Sequence, residues 1–305
     1  MTYNEESLIV YLCKKVNRIG DTTAKAIADY FECSLHNFIS DSKTFAHFKN
    51  SNGKERLDSE QIDALNSIIN IYIKDLSLSI NEIWISVLIR DFVKHSIEEL
   101  QKTMLDNLLI NPFLVKAFGF DDHKEVVTFY FYQKITRSIV TSWGFTVEGL
   151  LICSGAEPSD INGFDMKVNR DGKKYQFQIK SSPNTMSIEQ VRQLNTHIKN
   201  ISDKIKNIPI LGMTYGTREQ INSQIQSTLI GYPNTTMVGK ELWDFIAGES
   251  GYCNKLLKLI DEIMIEEPTK FSDEIENKRQ SLILDWENKF GKGKNSIDLV
   301  LLKYL

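Results

Sequence analysis

At the centre of the stretch Phe164-Asp165-Met166-Lys167-Val168-Asn169-Arg170-Asp171-Gly172-Lys173-Lys174-Tyr175-Gln176-Phe177-Gln178-Ile179-Lys180 stands Asp171-Gly172. This pair tolerates φ > 0 at both central positions of a type I′ turn, so the stretch reads as a β-hairpin. A two-residue loop there fixes the register: Arg170 against Lys173, Val168 against Tyr175, Met166 against Phe177, Phe164 against Ile179, and Asp165 opposite Gln178. Side chains alternate faces along a strand, so the apolar pairs share one face while Asp165, Gln178 and Lys180 share the other, opposed Cβ atoms lying about 5 Å apart. An acid, an amide and an ammonium are thereby predicted in one small volume.

The residues after the hairpin limit the fold further. Beyond Ser181-Ser182-Pro183-Asn184-Thr185-Met186, Ser187 with Gln190 three residues on forms a capping-box pattern. The helix it opens carries Ile188, Val191, Leu194, Ile198 and Ile201 on one stripe. Ile208-Pro209-Ile210-Leu211-Gly212-Met213-Thr214-Tyr215-Gly216 then reads as the next strand, and a right-handed crossover returns it to the same sheet. Upstream, residues 123–143 form an apolar helix, Gly144 is expected to end it, and Leu150-Leu151-Ile152-Cys153 is expected to be the first strand. Met237-Val238-Gly239-Lys240-Glu241-Leu242-Trp243-Asp244-Phe245 reads as the last core strand and its helix. The expected class is α/β, a mixed central sheet flanked by helices, with a helical N-terminal domain and a helical C-terminal part.

This order, and an acid facing a residue two before a lysine on the next strand, resembles the PD-(D/E)xK nuclease core with its αβββαβ plan. The segment 178–186, a lysine followed by a small residue and then Pro-Asn-Thr, is similar to type II restriction endonucleases. The resemblance covers roughly residues 120–245. It implies sequence-specific hydrolysis of double-stranded DNA with Mg2+, Mn2+ substituting. Such chemistry needs a divalent cation held by oxygen ligands and a positive charge for the phosphate. Asp165 would hold the metal and Lys180 would serve the phosphate. Gln178 departs from the family pattern, in which a second acid is usual; its carbonyl oxygen still ligates, but one negative charge is lost. A further acid is wanted, and the resemblance points to Glu148, with Glu157 and Asp160 as rivals. Ser181 and Asn184 fall in the DNA-facing turn.

Val16-Asn17-Arg18-Ile19-Gly20-Asp21-Thr22-Thr23-Ala24-Lys25 resembles a helix-hairpin-helix, in which a tight turn presents backbone N–H groups at a helix N-terminus to a phosphate. Arg18, Gly20, Thr22, Thr23 and Lys25 are its candidate DNA contacts, although the family usually has glycine where Arg18 stands. Residues 50–62 look like a looser second copy, with Ser59 or Asp58 capping the next helix. The alternative for this region is a small helical bundle for protein contacts. The division expected is 1–75 DNA-binding, 76–119 helical scaffold with boundaries near Ser79 and Asn111-Pro112, and 120–305 nuclease with a helical C-terminal part. Residues 217–236, rich in amides and including Arg218, contain the side-chain types that make bidentate contacts to base edges.

Charge separates these regions. The net charge of −4 hides nine basic against four acidic residues over 165–207, and seven acidic against one basic over 261–277, expected to be a solvated helical face away from DNA. The acidic start of the chain is unlike a signal peptide, and no apolar run approaches the ~20 residues of a membrane span. Cys13, Cys33, Cys153 and Cys253 lack CxxC spacing and the five histidines lack metal-binding spacing. A cytoplasmic, prokaryotic enzyme is expected. The class further implies a homodimer, since a two-fold protein matches symmetric sites, and a cognate DNA methyltransferase as functional partner. Two other readings fit the residues: a structure-specific repair or recombination nuclease, and a non-catalytic DNA-binding protein on a nuclease fold.

Overall fold

The computed structural model describes residues 3–40, 45, 48, 56–73, 78–201 and 206–303. Helices α1 (Glu5–Lys14), α2 (Asp21–Tyr30) and α3 (Leu35–Ser40) precede α4 (Ser59–Tyr72), α5 (Ile80–Gln101), α6 (Pro112–Phe118) and α7 (His123–Cys153). Strands β1 (Glu157–Pro158), β2 (Met166–Arg170) and β3 (Lys173–Lys180) come next, then α8 (Ile188–Asn200), β4 (Asn207–Met213), α9 (Ser223–Thr228), β5 (Thr236–Val238) and α10 (Lys240–Ala247). The chain ends in α11 (Tyr252–Ile265), α12 (Phe271–Phe290) and α13 (Gly293–Lys303). Among the described residues no helix is long and apolar enough to cross a membrane.

The starts of these helices come from local chemistry. Asn4 and Ser7, Asp58 and Gln61, and Ser187 and Gln190 form reciprocal capping boxes at α1, α4 and α8, each satisfying N–H groups that have no partner within the helix. Asn111 accepts from the N–H groups of Phe113 and Leu114, with Pro112 at the first helical position of α6. At α4, Asp58 rather than Ser59 is the cap.

The chain forms two compact units, one from Met1–Leu88 and Val147–Asp261, the other from Ile89–Thr146 and Glu262–Leu305. In the first, the sheet order is β1-β2-β3-β4-β5, with β1, β2 and β3 antiparallel and β3, β4 and β5 parallel. It is the expected mixed sheet. Helix α8 supplies the crossover from β3 to β4, burying Val191, Leu194 and Ile198 against Phe164, Leu211 and Met213, at about 1.5–3 kcal/mol per buried side chain. On the other side, Tyr175 and Phe177 meet the ring of Phe245 on α10 at 4.7 and 6.0 Å. In the second unit, Val126, Val127, Phe131 and Ile135 of α7 share a core with Leu282, Trp286 and Ile297.

Four expectations are corrected. Helix α7 passes through Gly144 without a break and includes Leu150-Leu151-Ile152-Cys153. A four-residue apolar run has no period that separates strand from buried helix, and a Cβ at Gly144 would meet nothing within 4 Å. The first strand is β1, only two residues long. Phe164 lies outside the β2–β3 ladder, which begins at Met166, and joins the α8 side of the sheet instead. The acidic segment is not wholly solvated, because Glu266, at 3.0 Å, and Glu267 bind the guanidinium of buried Arg90. An arginine removed from water needs such partners. Residues 50–55 of the second hairpin-like copy lie outside the described residues.

Candidate active site

The hairpin has the register its turn demanded: Met166 faces Phe177, Val168 faces Tyr175 and Arg170 faces Lys173. Both turn residues have positive φ, Asp171 at 50° and Gly172 at 71°. Just beyond the ladder, the Asp165 N–H donates to the Phe177 carbonyl at 2.8 Å, so Asp165 and Met166 both oppose Phe177. Two residues against one is the arrangement of a β-bulge, which re-aims a side chain. The Asp165 carboxylate thereby reaches across to β3: its Oδ2 accepts from the Ile179 N–H at 2.6 Å and from the Gln178 amide at 3.2 Å. With Nε2 donating, the Gln178 Oε1 lone pairs are not used by that bond. Lys180, half-buried, is two residues further along β3; among the described residues no carboxylate pairs with it.

Glu148 lies in the last turns of α7. Its side chain is exposed, and its pKa is raised, first by partial desolvation and then by the charge of Asp165, so the two acids are near enough to repel. The structure joins Asp165 to Gln178 by a hydrogen bond and sets Glu148 of α7 within reach of the Asp165 charge, while Lys180 follows two residues on along β3. Among the described residues there is no cluster of three or more His, Cys, Asp or Glu side chains suited to a metal; the set here is two carboxylates and an amide. All are oxygen donors, as a hard divalent cation requires, and a cation between two repelling acids relieves their repulsion. The residues fit such a group.

The rival acids have other partners. Lys167, mostly buried, lies 3.8 Å from Glu157 and 3.6 Å from Asp160. Asp160 is held below the usual carboxylate range by a backbone hydrogen bond and by Lys167. Two residues before Gln178 on β3, fully buried Gln176 accepts from the Ser159 hydroxyl at 2.8 Å and donates to Asn207 at 3.3 Å. The sequence did not signal another neighbour. Tyr3, whose hydroxyl pKa is raised by burial, then by Cys153 and Glu148, has that hydroxyl close to Gly149, the residue after the α7 acid.

The candidate DNA contacts fall into separate groups. Arg18 sits at φ 66°, a left-handed conformation that suits glycine, between α1 and α2. Gly20 caps α2 without a side chain; Gly20, Thr22 and Lys25 are exposed and Thr23 is half-buried. The same first turn carries Asp21, paired with Lys14 at 2.7 Å. The Ser181 carbonyl accepts from Thr214 Oγ1 and the Tyr215 N–H, and Asn184 is exposed. Arg218 donates to Glu241 at 2.8 Å and to Thr236 at 3.1 and 3.3 Å. Several amides of the same segment also bind the protein itself: Gln220 accepts from the Thr217 N–H, Asn222 caps α9 and Gln226 donates to the Ile221 carbonyl.

A helix, an antiparallel β-meander, a crossover helix and a parallel strand, with an acid hydrogen-bonded to the Gln of a Gln-x-Lys on the next strand, match the layout expected of a nuclease core. Residues 79–267 match the family of the type II restriction endonuclease EcoO109I, and the chain belongs to that family. It is thus a type II restriction endonuclease, a site-specific hydrolase of double-stranded DNA. No curated protein matches the chain. The family match selects the restriction reading over a repair nuclease and a non-catalytic DNA-binding protein, and restriction enzymes of this type generally use a divalent metal.

Proposed function

We propose that Asp165, Glu148 and Gln178 form the metal-holding set of this endonuclease, with Mg2+ as the natural ion and Mn2+ substituting, and that Lys180 stabilises the charge that develops on the scissile phosphate. One observation carries this reading: the bulge turns Asp165 onto Gln178 and Ile179 while Glu148 lies close enough to feel its charge. A bound divalent cation supplies Lewis-acid polarisation of the phosphate and of water. The chain's own groups do the rest. The Ile179 N–H fixes the Asp165 carboxylate, the Gln178 amide orients against it, and Lys180 presents an ammonium to the phosphate oxygens. Ser181 and Asn184, which come soon after that lysine, are proposed to contact the backbone of the cut strand.

The hairpin between α1 and α2, with Arg18, Gly20, Thr22, Thr23 and Lys25, is proposed as a grip on DNA phosphates within an N-terminal region spanning residues 1–75. The positive φ of Arg18 supports it, being the backbone form that glycine supplies in helix-hairpin-helix turns. A homodimer acting in a prokaryotic cytoplasm beside a cognate methyltransferase completes the proposal. Plasmid DNA incubated with the protein and Mg2+ should yield discrete fragments sharing a terminal sequence. Asp165→Asn and Lys180→Ala should abolish cutting yet bind the same site in Ca2+, and normal cutting by Asp165→Asn would overturn the metal assignment.

A further inference from the structure

The N-terminal segment packs on the turn of α7 that presents Glu148. Gly149 directly follows that acid, and a Cβ there would lie 2.8 Å from Leu88 Cδ1 and 2.9 Å from the Tyr3 hydroxyl. Real Cβ atoms do not approach so closely, so any side chain at 149 would have to push the ends of Leu88 and Tyr3 aside. Tyr3 is not a loose end. Its ring meets Trp84 edge-on at 4.8 Å, and Trp84 is almost wholly buried. The Trp84 indole N–H donates to the Asn4 carbonyl at 3.2 Å, tying the next residue to α5, while Asn4 itself caps α1. Tyr11 of α1 also meets Trp84, at 5.4 Å.

We infer that Tyr3 is a positioning residue for Glu148: its ring, edge-on to Trp84 and directed at Gly149, backs the α7 turn from which the acid projects. The inference rests on Glu148 being a metal-holding acid. Two carboxylates that repel do not converge by themselves, so a turn held from behind keeps Glu148 beside Asp165 before an ion arrives; a site loose by about 1 Å is the common failure of such constellations. The segment that opens the proposed DNA grip therefore also sets the geometry of the chemistry.

The test compares Tyr3→Ala and Tyr3→Phe with wild type for kcat, for the Mg2+ concentration giving half-maximal cleavage, and for DNA affinity in Ca2+. The alanine variant should lose at least tenfold in kcat and need severalfold more Mg2+, with DNA affinity unchanged. Phenylalanine, which keeps the ring, should return kcat to within threefold of wild type. In a Glu148→Gln background, Tyr3→Ala should add less than a twofold loss. Wild-type kcat and Mg2+ dependence in Tyr3→Ala would overturn the inference, as would a loss of DNA affinity with Mg2+ dependence unchanged, or a full tenfold loss on top of Glu148→Gln. If Tyr3→Ala does not fold, Tyr3→Leu, which retains apolar contact with Trp84, is judged by the same outcomes. Normal cleavage by Glu148→Gln alone would instead overturn the role of Glu148, separating that failure from this one.

Discussion

Replacing Gln178 by glutamate restores the charge usual in PD-(D/E)xK sites, and the geometry dictates what this does without metal. The amide that donates to Asp165 Oδ2 at 3.2 Å becomes an oxygen facing an oxygen. Losing that hydrogen bond costs about 1 kcal/mol. Two unit charges at this separation repel by about 1 kcal/mol in bulk water and about 5 kcal/mol at an effective dielectric of 20. Gln178 is half-exposed, which favours the lower end, so Gln178→Glu should destabilise the metal-free protein by about 2–3 kcal/mol. At roughly 2–4 °C per kcal/mol, Tm in EDTA should fall by about 4–12 °C. Added Mg2+ should recover the loss, because an ion that binds only the folded state stabilises by mass action, and cleavage at saturating Mg2+ should persist. Thermal unfolding across a Mg2+ titration, with plasmid cleavage on the same samples, measures both. An EDTA Tm equal to wild type with an unchanged response to Mg2+ would refute the reasoning, since Gln178 then neither faces Asp165 nor borders the ion.

Glu148→Gln should raise the Tm of the metal-free protein at neutral and alkaline pH. A carboxyl whose folded pKa is raised, here by burial and by Asp165, contributes stability that is full below its unfolded pKa and lost as pH rises through the folded one; identical Tm-against-pH curves for wild type and variant would contradict this. Gly163→Ala should destabilise by roughly 2–4 kcal/mol, because φ is +89° and the new Cβ would lie 2.2 Å from His197 Cγ. Adding His197→Ala should recover the steric part of the urea-midpoint shift but not the backbone part. Arg218→Ala should lower stability by about 1–2 kcal/mol through lost charged hydrogen bonds and leave discrimination between cognate and one-base-variant sites intact; intact stability with lost discrimination would make Arg218 a base contact.

The hairpin was legible because a turn dipeptide and period-two alternation act over a few residues, and Asp171-Gly172 permits one register. Helix α8 was legible for the same local reason, through Ser187 and Gln190. What escaped was set by contacts distant in sequence. Leu150 and Leu151 are buried in either secondary structure, so tertiary packing alone makes them helical. Phe164 leaves the alternation because the bulge at Asp165 breaks it, and no sequence signal marks that bulge. Arg90 looked like scaffold and Glu266 and Glu267 like a solvated face, yet they meet across more than 170 residues. Tyr3 packs against α7 at Gly149, whose bare backbone is an ordinary helical glycine until the partner is seen.

The Ile179 N–H that ends on the Asp165 carboxylate rather than on a strand carbonyl joins two roles in one side chain. Where β2 stops pairing, this carboxylate plugs an amide that the sheet would otherwise leave unsatisfied, and an orphaned buried donor costs about 1–3 kcal/mol. With Asp165 in the proposed metal-holding role, random substitution at position 165 confounds architecture with catalysis, since alanine would remove the metal-holding oxygen and uncap the strand in one step. Asparagine and serine, each still offering an oxygen to Ile179, divide the two. The same economy limits how such a site can drift: a lineage that abandoned cutting would still be pressed to keep an acceptor at 165, so that a residue shaped for DNA hydrolysis could outlast the activity as a fossil of the fold.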